Sequence, residues 1–176
     1  QKNLMHLISK SNANLIENVP CITFSELCDF KNNIFIFSGA NGSDIFSLIS
    51  QNQFSLAEKT VENYLKYFGD NFNLEIQNIN NQGEKDVADF IFSVSSHKGI
   101  PVVATNDVLF LKKSDYEAHD AKVCINTGQI LNDSSRENPY KQEQSFKSAK
   151  EMHEIFEQFP EALSNSLEIA KQCNVN

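Results

Sequence analysis

Three short apolar runs alternate with helical patterns, and this alternation most constrains what the chain can fold into. The runs lie near residues 34–37, 72–77 and 101–105, and turn-forming residues bound each of them. Between them, apolar residues recur at spacings of three and four, which is typical of amphipathic helices. Strand, helix, strand, helix, strand with short links is the pattern of parallel βαβ units. The sequence therefore predicts an α/β fold.

The pattern becomes mostly helical from residue 114 onward. Helices are predicted at about 114–126, 148–157 and 160–173, and a polar loop over residues 132–144 separates the first two. We predict one domain over residues 1–176, without a further strand in its later part. Three strands make a thin sheet for a chain of this length, so either strands are missed or the chain is part of a larger barrel. A part-barrel would have open sheet edges that invite pairing, and we expect an oligomer or a marginally stable protein.

Charge and hydropathy limit the classes of partner. The formal net charge is −8, and Arg136 is the only arginine. Affinity for duplexes comes largely from Lys and Arg at phosphates, and bidentate phosphate clamps need arginine, so we expect no direct nucleic-acid binding by this chain. No apolar run approaches the roughly 18 residues of a membrane span, and no basic-then-apolar leader opens the chain. We expect a cytoplasmic protein without a membrane partner.

Common metal and nucleophile motifs are not apparent. The cysteines contain no C-x-x-C pair and match no common zinc spacing, so we expect reduced thiols packed as small hydrophobes. They are Cys21, Cys28, Cys124 and Cys173. Glu117, His119 and Asp120 lie close in sequence, but side chains two apart on a helix diverge, so a ligand set is not expected there.

Six motifs occur in an order that resembles one known family. They are NLMHLISK (3–10), FSG (37–39), NLEIQ (73–77), GIPVVATNDV (99–108), EAHD (117–120) and PEAL (160–163) followed by EIAKQCNV (168–175). Together they resemble the amino-terminal polymerase-and-histidinol-phosphatase (PHP) domain of bacterial replicative DNA polymerase III alpha subunits. The resemblance covers essentially the whole chain, and six ordered motifs are far more specific than any one of them.

The resemblance implies a distorted (β/α)7 barrel, of which this sequence is similar to the later part. The family's opening strands, with their His-x-His and Thr-Asp-His motifs, and the acidic residues of the polymerase palm have no counterpart here, and the chain has no initiator Met. We therefore expect a segment of a longer polymerase chain. The resemblance implies magnesium for the parent polymerase, no cofactor for this segment, and two partners: the rest of the alpha chain and the proofreading exonuclease subunit.

The resemblance also implies a metal site that has decayed. Metal-binding members hold a cluster at the barrel mouth, and an Asp-x-His after the final strands supplies two of its ligands. Asp107 matches the aspartate, whereas Leu109 replaces the histidine and Ala40 replaces a cysteine found after Ser-Gly in active members. Leucine and alanine side chains have no lone pair to donate to a metal. We expect Asp107 to be a vestigial ligand that accepts hydrogen bonds from turn amides, and Leu109 to pack against apolar neighbours.

Three hypotheses about function remain open on the sequence. The favoured one is a catalytically inactive structural and exonuclease-docking module within a replicative DNA polymerase. The second is a metal-dependent phosphoesterase or proofreading domain, which Ala40 and Leu109 oppose. The third, independent of the family, is an α/β ligand-binding domain that uses the strand exits near Ser38, Gln77 and Asn106. The orientation of Glu75, toward the barrel interior or toward the helices, cannot be read from alternation alone.

Overall fold

The computed structural model describes residues 2–79, 82–133 and 135–173. Two positions of the polar connection after the second predicted strand, one position of the predicted loop 132–144, and the last two residues of the EIAKQCNV motif lie outside the described residues. The helices are α1 (Lys2–Ala13), α2 (Phe24–Asp29), α3 (Asp44–Ser50), α4 (Phe54–Phe68), α5 (Glu84–Lys98), α6 (Tyr116–Thr127), α7 (Ala149–Ile155) and α8 (Pro160–Gln172). The strands are β1 (Leu15–Ile16), β2 (Val19–Pro20), β3 (Ile36–Phe37), β4 (Phe72–Ile76) and β5 (Val102–Ala104).

The three predicted strands form one parallel sheet in the order β3-β4-β5. Parallel neighbours need long crossover connections, and α3 with α4, then α5, provide them. The α/β class is thus confirmed, while each strand is shorter than predicted. Among the described residues this sheet is open, so the complete barrel stays a prediction.

A short antiparallel hairpin of β1 and β2 was not predicted from the sequence. Its two turn residues, Glu17 and Asn18, both have positive φ, at 50° and 65°. This backbone matches the right-handed twist of a two-residue hairpin, but it is normally signalled by glycine. The Glu-Asn pair therefore concealed the turn.

The core lies between one face of the sheet and the helices. Alternate strand residues such as Phe72, Leu74 and Val102 point toward α3, α4 and α5 and are almost fully buried. Ile91 on α5 and Val61 on α4 are completely buried against this face. Since full burial of such a side chain contributes roughly 1.5–3 kcal/mol, the layer fixes β4 and β5 and so positions the residues that follow them.

Helix α8 covers the outer edge of β5. The Asn165 side-chain amide donates to the carbonyl oxygen of Val102, and the Ser166 hydroxyl donates to that of Ala104, both at 2.8 Å. These side chains take the place of a neighbouring strand. The expectation of open edges is therefore wrong at β5, because α8 satisfies two carbonyls that would otherwise template pairing.

Within the described residues, none of the helices has both the length and the apolar character needed to cross a membrane.

Candidate functional site at the strand exits

The site predicted from sequence lies where β3, β4 and β5 end. Ser38 extends the pairing of β3 with β4 by one residue: its backbone N–H donates to the carbonyl of Asn73 at 2.9 Å. Its hydroxyl then accepts from the backbone N–H of Glu75, also at 2.9 Å. A side-chain oxygen thus replaces the next backbone carbonyl of the ladder, and buried Ser38 locks the two strand exits together.

Glu75 points away from the helical layer, which answers the question left open by alternation. Its sequence neighbours Leu74 and Ile76 belong to the core, so Glu75 lies on the opposite face of β4. The carboxylate accepts hydrogen bonds from the Thr105 hydroxyl and, at 3.3 Å, from the Gln77 amide, which also donates to the Thr105 hydroxyl at 3.1 Å. Neutral donors from two adjacent strands therefore hold this carboxylate.

Asp107 makes a different contact from the one predicted. Its Oδ2 accepts a hydrogen bond of 2.7 Å from the side-chain amide of Gln144, which lies 37 residues later. The expectation of turn amides as donors is wrong, because the chain returns over the exit of β5 and brings a buried glutamine to the carboxylate.

Leu109 is fixed at the exit of β5 through its backbone. Its backbone N–H donates to the carbonyl of Gln144 at 2.8 Å, and its side chain is 38% exposed. Leu109 therefore lies outside the buried core of the described residues, and its packing against apolar neighbours stays a prediction.

The side chains at the exits do not fit a metal cluster. Ala40 and Leu109 offer no donor atom, and the carboxylate oxygens of Glu75 and Asp107 accept hydrogen bonds from Thr105, Gln77 and Gln144. Across residues 2–79, 82–133 and 135–173, no group of three or more His, Cys, Asp or Glu side chains is placed to hold a metal ion. Whether the positions are vestigial stays a prediction.

A buried ion pair that the sequence did not predict lies beyond the exits. Arg136 donates from both terminal nitrogens to the two carboxylate oxygens of Asp120, at 2.7 and 2.6 Å. Only 8% and 11% of the two side chains are exposed. The hydrogen bonds from Arg136 hold the pKa of Asp120 below its usual value, against the opposing effect of burial. Asp120 is therefore a structural anchor on α6 and not part of a ligand set with Glu117.

Other polar groups complete this cluster. Asn138 donates to the hydroxyl of Tyr116 at 2.8 Å and to Asp120 at 3.0 Å. The ring of His119 lies between two aromatic rings, with centroid distances of 5.5 Å to Phe110 and 5.0 Å to Tyr140. These contacts fasten the polar loop to α6. The only feature of the sequence that pointed to these contacts was the single arginine, and no spacing rule identifies the partner of that residue.

The sequence of this chain is similar to those of known proteins. No family model matches it. It is 35% identical over 176 residues to DNA polymerase III subunit alpha of Buchnera aphidicola. The aligned region covers 99% of this chain and 15% of that protein. The same subunit of Pasteurella multocida is 33% identical over 173 residues, 98% of this chain and 15% of that protein. The chain is similar to a segment of the DNA polymerase III alpha subunit. The alpha subunit of Escherichia coli is 34% identical over 156 residues, 89% of this chain and 13% of its own length.

These comparisons confirm the resemblance to DNA polymerase III alpha subunits that the six motifs indicated, while the assignment to a PHP domain stays a prediction. The chain spans about 15% of the length of these curated alpha subunits. The similarity runs through the strand exits, so Ser38, Asp107 and the residues around them lie within the matched region. The organisms named above are bacteria.

Proposed function

We propose that this chain is the later part of the PHP domain of a bacterial replicative polymerase alpha subunit, acting in cytoplasmic chromosome replication. In this proposal it is a catalytically inactive structural module that helps dock the proofreading exonuclease subunit. Nucleotide transfer, with its magnesium, takes place elsewhere in the parent chain. Similarity to alpha subunits along nearly the whole chain supports the first part of the proposal.

One observation carries the assignment as inactive. Asp107, the one matching ligand position with a donor atom, already accepts a hydrogen bond from Gln144, and the positions beside it are Ala40 and Leu109. A metal cluster needs several donors converging at fixed distances, and each missing donor lowers affinity and loosens geometry. The chemistry of the exits therefore favours a structural role over phosphoester hydrolysis.

Apolar surface supports contact with the rest of the alpha chain. Helix α1 is held by Leu7, its buried residue, and by His6, whose ring stacks on Phe30 at 5.6 Å. The same helix presents Leu4, Met5 and Ile8, each more than half exposed. A helix with its apolar side outward is typical of one that packs against a further part of an assembly.

Elemental analysis of the parent domain tests the assignment directly. After gentle purification with its natural amino-terminal region, the domain is expected to hold no stoichiometric zinc, manganese or iron and to show no metal-dependent phosphoesterase activity. One or more tightly held metals per chain, with activity abolished by Asp107→Ala, would establish the active alternative instead.

Exonuclease docking has a separate test. The intact parent domain is expected to co-purify with the proofreading exonuclease through the carboxyl-terminal segment of that subunit. Consistent failure with a domain shown to be folded by circular dichroism would contradict the docking role, whatever the metal analysis gives.

Direct DNA contact is not part of the proposed role. With a net charge of −8, the isolated chain is expected to bind a labelled primer-template only nonspecifically at moderate salt. Fluorescence anisotropy measures this, and submicromolar binding would overturn the expectation.

A further inference from the structure

Residues 142–147, here called the cover segment, lie across the exit of β5 as a 3-10 turn over Gln142–Gln144 followed by a single bridge position at Ser145. The backbone N–H of Leu109 donates to the carbonyl of Gln144, and the N–H of Phe146 donates to that of Phe110, both at 2.8 Å. Phe110 and Ser145 form a parallel bridge. The backbone beyond Asp107 is thus paired with a segment that is distant in sequence.

Side chains of the cover segment donate hydrogen bonds to the polar groups at this exit. The Gln144 amide donates to Asp107 at 2.7 Å, and the Lys147 ammonium donates to the side-chain oxygen of Asn106 at 3.0 Å. Asn106 in turn donates from its amide nitrogen to the carbonyl of Ser145 at 2.8 Å. Gln144 and Ser145 are only 4% and 3% exposed, so the contact is a built one and not a surface encounter.

A carboxylate and an amide oxygen side by side at a strand exit present negative potential that needs either a cation or proton donors. Here an ammonium and an amide meet that need. We propose that the cover segment is a built-in ligand of the strand exits, with Gln144 donating to the Asp107 carboxylate, which a metal ion would otherwise bind, and Lys147 donating to the neighbouring Asn106.

The inference rests on the proposed function only for the identity of the replaced group, a metal ion. The contacts themselves stand on the geometry of the cover segment. They assign Gln144 a positioning role in which its amide donates and the Asp107 carboxylate accepts. This role can be tested by substitutions that exchange the donor and the acceptor between positions 144 and 107.

Hydrogen–deuterium exchange of the full-length polypeptide, followed by mass spectrometry, reads the backbone pairs of the cover segment. Gln144→Glu removes the donor and places a second carboxylate against Asp107, so exchange in the peptides holding the Leu109 and Phe146 amides is expected to rise about tenfold. Adding Asp107→Asn swaps donor and acceptor and is expected to restore slow exchange. Gln142→Glu adds the same charge at an exposed position of the same turn and is expected to leave exchange unchanged.

Lys147 is tested by Lys147→Met, which should speed exchange in the same peptides, and by Lys147→Arg, which should not. Lys150→Met is the matched control, because that side chain is 86% exposed. Peptides from α5 report whether each variant stays folded. Unchanged exchange in Gln144→Glu, or failure of Asp107→Asn to restore it, would overturn the inference. Either result leaves the metal analysis of the parent domain untouched, so the two proposals fail separately.

Discussion

Replacing Ser38 with alanine should weaken the joint between β3 and β4 by a predictable amount. The Ser38 hydroxyl is the acceptor for the backbone N–H of Glu75 at 2.9 Å, and Ser38 is only 5% exposed. Alanine leaves this N–H without its acceptor in a place that water reaches poorly. A buried donor without a partner costs about 1–3 kcal/mol. The methyl group of alanine does not compensate for this loss of stability, because it cannot accept a hydrogen bond.

The expected loss in the free energy of unfolding for Ser38→Ala is therefore about 2 kcal/mol. For a chain of 176 residues this corresponds to a fall in Tm of roughly 4–8 °C. Urea titration followed by circular dichroism at 222 nm gives the free energy, and a thermal scan gives Tm.

Ser96→Ala serves as the matched control for this measurement. Its hydroxyl makes a hydrogen bond within the protein as well, donating to the carbonyl of Phe92 at 2.9 Å, but Ser96 is exposed on α5. Alanine is a better helix former there, so the change is expected to stay within about 0.5 kcal/mol or to stabilise slightly. If Ser38→Ala changed stability no more than Ser96→Ala, the ladder contact would not contribute as argued.

Three further predictions concern other parts of the fold. Because Arg136 lowers the pKa of Asp120 from its ordinary 3.8, the ionised pair stabilises the fold above about that pH, and this stability is lost as pH falls through the lower folded-state value. Arg136→Met should thus lower the urea midpoint at pH 6 and flatten its decline below pH 4, and an unchanged acid profile would contradict the pairing. Asn165→Leu frees the carbonyl of Val102, costs about 1 kcal/mol and promotes concentration-dependent association measurable by analytical ultracentrifugation; a strictly monomeric variant of unchanged stability would argue against edge protection. Ile91→Ala removes a fully buried side chain and should cost about 2–5 kcal/mol in urea unfolding, and a loss below about 1 kcal/mol would show that the core is not packed as described.

Sequence periodicity located the strand exits because it depends on short-range physics. An apolar run bounded by turn residues has few alternatives to a buried strand, and parallel strands bring their carboxyl ends to one edge. Ser38, Gln77 and Asn106 could therefore be placed near one another from the sequence. Their hydrogen-bond partners could not, since a hydroxyl that completes a ladder depends on the exact residue at which pairing stops.

The contacts of Asp107 and Asp120 that sequence reasoning missed depend on where the polar connection after α6 returns. Hydrophobic periodicity does not predict the path of such a loop, so the sequence did not indicate that Gln144 would contact Asp107. Arg136 was noticed only because it is the single arginine of the chain. The structure fastens this connection at two points, at Asp120 on α6 and at the exit of β5. Because the two anchors lie on one short stretch of chain, we expect that loosening the Arg136 end would shorten the time that Gln144 spends against Asp107. In that case the ion pair of the chain's only arginine, which lies outside the strand exits, helps to hold Gln144 at the exit of β5.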